Sequence, residues 1–483
     1  MTQLPICTET ATELTTVTTT EAVPLPAIPV SDVICNECNC SGGVVDCSNR
    51  ELRKPFDADD WNGLKDMDIT EVDLSRNLFI LLTQISELPI KKLNVSNCEI
   101  EILPDGVFSN LKEIVSLDLS RNKISFSAVG KHVFGIFHEG QKPQPFLKLR
   151  YLSLAHNDIH SLSQDMFLFM PHVTTLDLSG NPLAIIDQIT MSALADLTRL
   201  RELRISECDL ESLPEGLLRR QRRLQRLDLS GNRFTSIPAV LTEAVNLLYL
   251  NFDRNPIQAL PKNTAISNLT RLQELHLCRH SSLRSISAGA LAGLESLVVL
   301  HIRYNPRLTV IDPGFLEWED DLGIERWPLL EELYLNNNNL SEINPKMLGH
   351  WDQLVKVDFS ANPYLCDCTN QWMMDVLVPI IMTTVTNTTT NKMICRRPDD
   401  YRGYTFAQLY ESRKDLVCLS SENLTDGSTT ETAVLYGIMI GILVTFPIVL
   451  ILVILWKKGY FARCRKKMNT KQHYFDDEET DAF

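Results

Sequence analysis

One pattern governs what this chain can fold into. Between Leu224 and Phe234 the sequence reads Leu-Gln-Arg-Leu-Asp-Leu-Ser-Gly-Asn-Arg-Phe. Leu224, Leu227, Leu229 and Phe234 are expected to face a shared core. Asn232 is expected to turn inward, where its amide can pair backbone groups that a tight turn leaves open. A single unit of this kind cannot bury its own apolar face, so it must stack on copies of itself. Twelve copies follow in phase, with Asn77, Cys98, Asn122, Asn157, Asn181, Cys208, Asn232, Asn255, His280, Asn305, Asn338 and Asn362 at the asparagine position. Most steps are 21 to 27 residues, while Asn122 to Asn157 and Asn305 to Asn338 are 35 and 33 and so carry insertions, expected as loops around 125–146 and 312–327. The period predicts an α/β solenoid: short strands at L-x-L paired in parallel along a curved, concave sheet, with turns and short helices on the convex side.

Charge and composition narrow the partners. The 483 residues carry a net charge of −15, which argues against a nucleic-acid backbone and favours a neutral or basic protein ligand. No nucleophile–base arrangement, metal-ligand cluster or phosphate loop stands out, so no enzymatic activity, cofactor or metal is expected. His276 and His301 read most simply as surface residues.

Eight of the 13 cysteines form two quartets that flank the repeats. Cys35, Cys38, Cys40 and Cys47 follow C-x2-C-x-C-x6-C, for which zinc is a rival to disulfides. Cys366, Cys368, Cys395 and Cys418 follow C-x-C-x26-C-x22-C, with Trp372 nearby. Quartets at both open ends suggest disulfide-closed caps formed in an oxidising compartment. Cys98 and Cys208 occupy the asparagine position and read as structural. Cys278 falls on the predicted concave surface, where it pairs with Cys7, pairs between chains, or is more buried than the pattern suggests.

Outside the repeats, residues 1–34 are rich in Thr and Pro and are expected to be disordered. They lack the basic start and apolar run of a signal peptide, so the true N-terminus is expected to be missing from this sequence. Residues 433–456 carry no charge over 24 positions, about 36 Å as a helix, enough to cross a membrane. Lys457, Lys458, Arg463 and further basic residues follow, which orients the tail, 457–483, to the cytoplasm and the repeats outside. Glycosylation sequons at Asn39, Asn94, Asn268, Asn339, Asn387 and Asn423 all precede this span. Asn39 is disfavoured by the adjacent cysteine. Cys464, among basic residues, is a candidate for lipidation.

From Cys35 to Trp456 the chain resembles the extracellular leucine-rich repeat, single-pass membrane proteins with cysteine-rich N- and C-terminal caps. Their ectodomains are similar to those of Toll-like receptors and neuronal adhesion proteins. The resemblance implies disulfides Cys35–Cys40, Cys38–Cys47, Cys366–Cys395 and Cys368–Cys418. It implies a cap at 35–68, about twelve repeats over 69–365, a second cap at 366–419 and a linker at 420–432. A loop is expected at Thr383–Thr390 within the second cap. The implied role is protein recognition: a type I plasma-membrane receptor, co-receptor or adhesion protein without a signalling domain of its own. A membrane co-receptor or a second copy would then be its membrane partner. An auxiliary subunit acting on a channel or receptor through the membrane helix is the alternative.

The residues that vary on the concave face point to a ligand surface. In the first seven repeats the residue between the strand leucines is often Asp (Asp73, Asp118, Asp177, Asp228), a common background. From the eighth to the eleventh repeat the concave positions change to Tyr249, Asn251 and Asp253; Glu274 and His276; His301 and Arg303; and Glu332 and Tyr334. Arg254 and Tyr304 lie just beyond the strands. Tyr and Arg are enriched at interface anchors. The ligand-binding set is therefore Tyr249, Asp253, Arg254, His276, His301, Arg303, Tyr304 and Tyr334.

Overall fold

A computed structural model describes residues 32–418 except 126–131, 138–141, 321, 351–353 and 385–391, together with scattered positions between 447 and 458. Two compact units divide the chain, one ending at Lys414 and one beginning at Asp415. The first unit holds every repeat.

Its centre is a 14-stranded sheet. The first two strands, Asn39–Ser41 and Val44–Asp46, form an antiparallel hairpin in the N-terminal cap. Val44–Asp46 then pairs in parallel with Glu71–Asp73, the strand of the first repeat. Each later repeat adds one parallel strand, ending at Lys356–Asp358. The register matches leucine to leucine across strands: Leu227 to Leu250, Leu250 to Leu275, Leu275 to Leu300, Leu300 to Leu333. Alternation along each strand sends these leucines inward, where they are fully buried. Each contributes about 1.5–3 kcal/mol by leaving water. Their flanking residues face outward on one continuous surface.

The asparagine position joins neighbouring repeats. Asn232 donates from Nδ2 to Leu229 O at 2.9 Å and to Ile205 O of the preceding repeat at 2.8 Å. Its Oδ1 accepts from Cys208 N at 3.0 Å and Leu210 N at 3.1 Å. Asn122 and Asn338 repeat the arrangement. Cys98 and Cys208 imitate half of it, their thiols donating to Leu74 O and Leu178 O. Burial pushes the Cys98 thiol up to about 11 and the Cys208 thiol up to about 12. Both remain neutral structural groups.

The residue before this position is left-handed in all twelve repeats, from Arg76 (φ 58°) through Arg254 (57°) and Tyr304 (59°) to Ala361 (55°). An L side chain pays about 1–2 kcal/mol there. The dense hydrogen bonding of the following asparagine holds the strained turn in place. Glycine occupies it at Gly180 and Gly231. The side chains of Arg254 and Tyr304 are thus set by a turn, and not by the strands.

The caps close both ends. Cys35 is bonded to Cys40, Cys38 to Cys47, and Cys366 to Cys395. Cys368 and Cys418 are also disulfide-bonded. Trp372 donates from its indole N–H to Ile343 O at 3.0 Å, tying the second cap to the last coils.

Several expectations need correction. The N-terminal cap begins before residue 35, with a helix at Asp32–Glu37 that buries Ile34 completely. Of the three alternatives for Cys278 the structure shows the last: it is buried and unbonded. The second insertion is not all loop, since Trp318–Glu319 pairs antiparallel with Glu325–Arg326. In the second cap a helix, Val378–Thr384, runs into the stretch expected as a loop, and the rest of that stretch lies outside the described residues. A second parallel sheet, Ala259–Leu260, Ser285–Ile286 and Val310–Ile311, forms in the return segments. Among the described residues no helix is long and apolar enough to cross a membrane. The expected span at 433–456 lies for the most part outside them, as do Asn387, Asn423 and Cys464.

Candidate functional site

On the outer sheet face the residue between the strand leucines has a structural task in most repeats. Asp73 Oδ1 accepts from Ser75 N at 2.8 Å, Asp118 from Ser120 N at 2.9 Å, Asp177 from Ser179 N at 3.0 Å and Asp228 from Ser230 N at 2.9 Å. Asn94 and Asn251 do the same for Ser96 and Asp253. Each carboxylate or amide caps the amide where the strand turns away, in the manner of an Asx turn. The Asp-x-Ser background therefore belongs to the backbone.

Four strand ends in the described repeats place a side chain there that cannot act as such a cap: Arg204, His276, His301 and Tyr334. Three are consecutive, and the last repeat returns to the capped form with Asp358 accepting from Ser360 N at 2.9 Å. At the first of the three, a neighbour compensates. Asp253 Oδ1 reaches across to accept from Cys278 N at 2.7 Å. Asp253, expected as a ligand contact, is thus engaged with the backbone.

The three rings lie in register. His276 pairs with His301 and His301 with Tyr334 across the parallel ladder. The imidazoles stack with centroids 4.3 Å apart, and His301 stacks on Tyr334 at 4.6 Å and 11°. Tyr249, two residues before the cap position of its own strand, extends the row to His276 at 5.3 Å. Arginines cover both ends. Arg226 lies 3.9 Å from the Tyr249 ring centre and Arg303 lies 5.5 Å from that of Tyr334. A guanidinium over a tyrosine face is worth about 0.5–1 kcal/mol when exposed.

Carboxylates brace the row. His276 Nε2 lies 2.7 Å from Glu274 Oε1. The Tyr334 hydroxyl donates to Glu332 Oε2 at 2.9 Å, and Lys356 pairs with Glu332 Oε1 at 2.7 Å. The Lys356 hydrogen bond holds the Glu332 carboxyl below its usual range. Burial, aided by Asp228 and Glu274, pushes the Tyr249 hydroxyl up to about 12. Burial, the adjoining His276 and Arg303 press the His301 imidazole down to about 4. His301, at the centre of the row, is therefore held neutral, and arginines lie at the rims.

Of the expected ligand residues, the structure brings Tyr249, His276, His301, Arg303 and Tyr334 together. Arg254 and Tyr304 stand at their left-handed turns beside the row, Arg254 paired with Glu207 at 2.7 Å and Tyr304 beneath Arg279 at 5.4 Å. Arg226 and Arg204 were missed. Each sits at an outward strand position, a signal the alternation provides, but in repeats whose Asp and Ser background masks it.

Residues 166–322 match the family described as a leucine-rich repeat region, and residues 329–351 match the leucine-rich repeat family. These are leucine-rich repeats. The chain is similar to Tsukushi of Gallus gallus, 26% identical over 301 residues, covering 61% of this chain and 74% of that one. It is similar to Keratocan of Danio rerio, 28% identical over 273 residues, covering 53% and 75%. Among solved structures it resembles a chain of the Drosophila Toll–Spatzle complex at 19% identity and a TM-score of 0.48, covering 74% of this chain and 56% of that one.

Proposed function

We propose that this leucine-rich repeat protein is a cell-surface receptor, co-receptor or adhesion protein that binds a protein ligand through the outer sheet face between Tyr249 and Tyr334. One observation carries the reading. Three successive repeats replace the strand-end cap with His276, His301 and Tyr334, only the first of them compensated by Asp253, so the stretch gives up local side-chain caps and presents a pre-stacked row of rings between arginines. Rigid aromatic and arginine surfaces are what protein interfaces use as anchors. Disulfide-closed caps support a secretory route. In this reading residues 433–456 anchor the chain once in the plasma membrane with the repeats outside. The exposed Asn268 and Asn339 then carry glycans.

The test displays the full chain on cells and screens it against a panel of secreted and cell-surface ectodomains. The variant Tyr249→Ala/Arg303→Ala/Tyr334→Ala is expected to lose at least about tenfold in affinity for a binder. Glu71→Ala/Lys92→Ala, which removes an exposed ion pair on the early strands, leaves binding unchanged. A triple variant that reaches the surface and binds like the parent overturns the proposal. Staining of the first cap only after permeabilisation overturns the topology.

A further inference from the structure

The centre of the aromatic row holds a donor set that stacking alone does not use. Glu274 and His276 share one face of one strand, and His301 lies beside His276 in register on the next. Parallel pairing fixes the two imidazoles about one strand spacing apart, roughly 4.8 Å. One ligand atom from each of Glu274, His276 and His301 lies within 4.8 Å of the other two. Nδ1 of His301 is buried and has no hydrogen-bond partner. A buried imidazole nitrogen without a partner is costly unless something fills the role.

We propose that Glu274, His276 and His301 bind a divalent transition-metal ion of the zinc class, with the remaining coordination position open to water or to a donor from a partner. Two imidazoles and a carboxylate are the nitrogen–oxygen set such ions prefer, and three protein ligands leave a place free. Hard cations such as calcium need six or more oxygens, which this site does not offer. Zinc sits about 2.0–2.2 Å from nitrogen and oxygen donors, so donors converge to about 3.3–3.6 Å. Glu274 Oε1 already lies 2.7 Å from His276 Nε2, so closing on an ion requires the two stacked imidazoles to turn their nitrogens toward a common point. Tyr249 and Tyr334 bracket the two imidazoles on either side. Neutral imidazole is the ligating form.

The inference goes beyond the protein-ligand reading, because zinc alone is the probe and no partner enters the test. The full chain, stripped with a chelator, is titrated calorimetrically with zinc chloride and with calcium chloride. One zinc per chain is expected, with no calcium binding. His276→Gln and His301→Gln are each expected to weaken zinc binding by at least about tenfold, while Tyr334→Phe, which keeps the ring, retains it. Cobalt(II) reports the site by visible absorption that changes in the His301→Gln protein. Equal zinc binding by parent and His301→Gln overturns the proposal and assigns the metal to surface histidines. So does a folded parent that takes up no zinc. If the histidine variants fail to fold, Glu274→Gln carries the same requirement.

Discussion

The early and the late strands of the sheet share one backbone and differ in what they place at its turning point. From Glu71 to Asp228 most strand ends carry an aspartate or asparagine that accepts from the backbone two residues on. From Glu274 to Tyr334 the same point carries rings that stack across strands. Beneath both lie the same inward leucines and the same buried asparagine position, filled by Cys98 and Cys208 in the early half and by His280 in the late one. The difference teaches that in a repeat stack the frame is held by the inner layer and the turn, so the outer layer can change its chemistry without changing the fold.

The frame is therefore the place to look for the largest effects, and for equality between the halves. Asn122→Ala and Asn338→Ala each strip partners from buried backbone groups on two repeats. Each is expected to cost about 3 kcal/mol, read as a shift of the urea midpoint. A late-repeat variant that unfolds like the parent while Asn122→Ala does not would show that the two halves do not share a frame.

His280 breaks the asparagine series inside the late half, and its effect is next. Its ring is buried, with Nδ1 2.7 Å from Asn255 O and Nε2 lacking a partner. Burial lowers its affinity for a proton below the ordinary imidazole value. The unfolded chain then binds more protons than the folded one, so stability rises with pH. The contribution is complete above the ordinary imidazole range near pH 6.5 and is lost as pH falls below it, until the folded ring itself is protonated. His280→Asn is expected to flatten this slope. The check is the parent-minus-variant difference in unfolding free energy between pH 7.5 and 5, and a difference that does not fall with acid overturns it.

Much of this was legible in the residues. The twelve-fold period gave the strands, because an L-x-L in each repeat has nowhere to bury its leucines except against its neighbours. Asn232 was readable as inward for the same reason. The left-handed residue before it was not, since only Gly180 and Gly231 advertise it while Arg254 and Tyr304 pay its strain silently. Alternation alone put Cys278 on the concave surface and left its burial as one of three alternatives, because alternation fails where the strand turns. The outer row was legible as composition, Tyr249, His276, His301, Tyr334, but its meaning needed the hydrogen bonds. Only when Asp118 and its equivalents are seen capping the backbone does their replacement become an observation.

That distinction can be sharpened by substituting the cap itself. Asp118→Ala removes the acceptor for Ser120 N and is expected to cost about 1 kcal/mol. Asp118→Asn keeps an acceptor, as Asn94 and Asn251 do, and should cost at most about 0.3 kcal/mol. If both variants lose the same amount, the aspartate acts through its charge, and the contrast between capped and uncapped strand ends fails.

The smallest effect lies at the boundary between the two regions. Arg204 is the first strand-end residue in the chain that is neither acid, amide nor hydroxyl. It pairs with Glu202 at 2.7 Å and reaches Asp177 at 3.5 Å, and its side chain is 42% exposed. A half-exposed ion pair contributes about 0.2–1 kcal/mol and less in salt. Arg204→Met should therefore lower stability by about 0.5 kcal/mol in dilute buffer and by almost nothing in 1 M sodium chloride, about where screening acts over only 3 Å. Stability will barely register the change, so ligand affinity is the informative measurement. Arg226, one strand on, covers Tyr249 at 3.9 Å, and Arg204 stands beside it across the ladder from Glu202 to Arg226. If Arg204→Met weakens a binder as Tyr249→Ala does, the recognition surface starts one repeat earlier than the rings. If it does not, the surface starts where the stacking starts, and the arginine belongs with the capped strands as a bridge between their carboxylates.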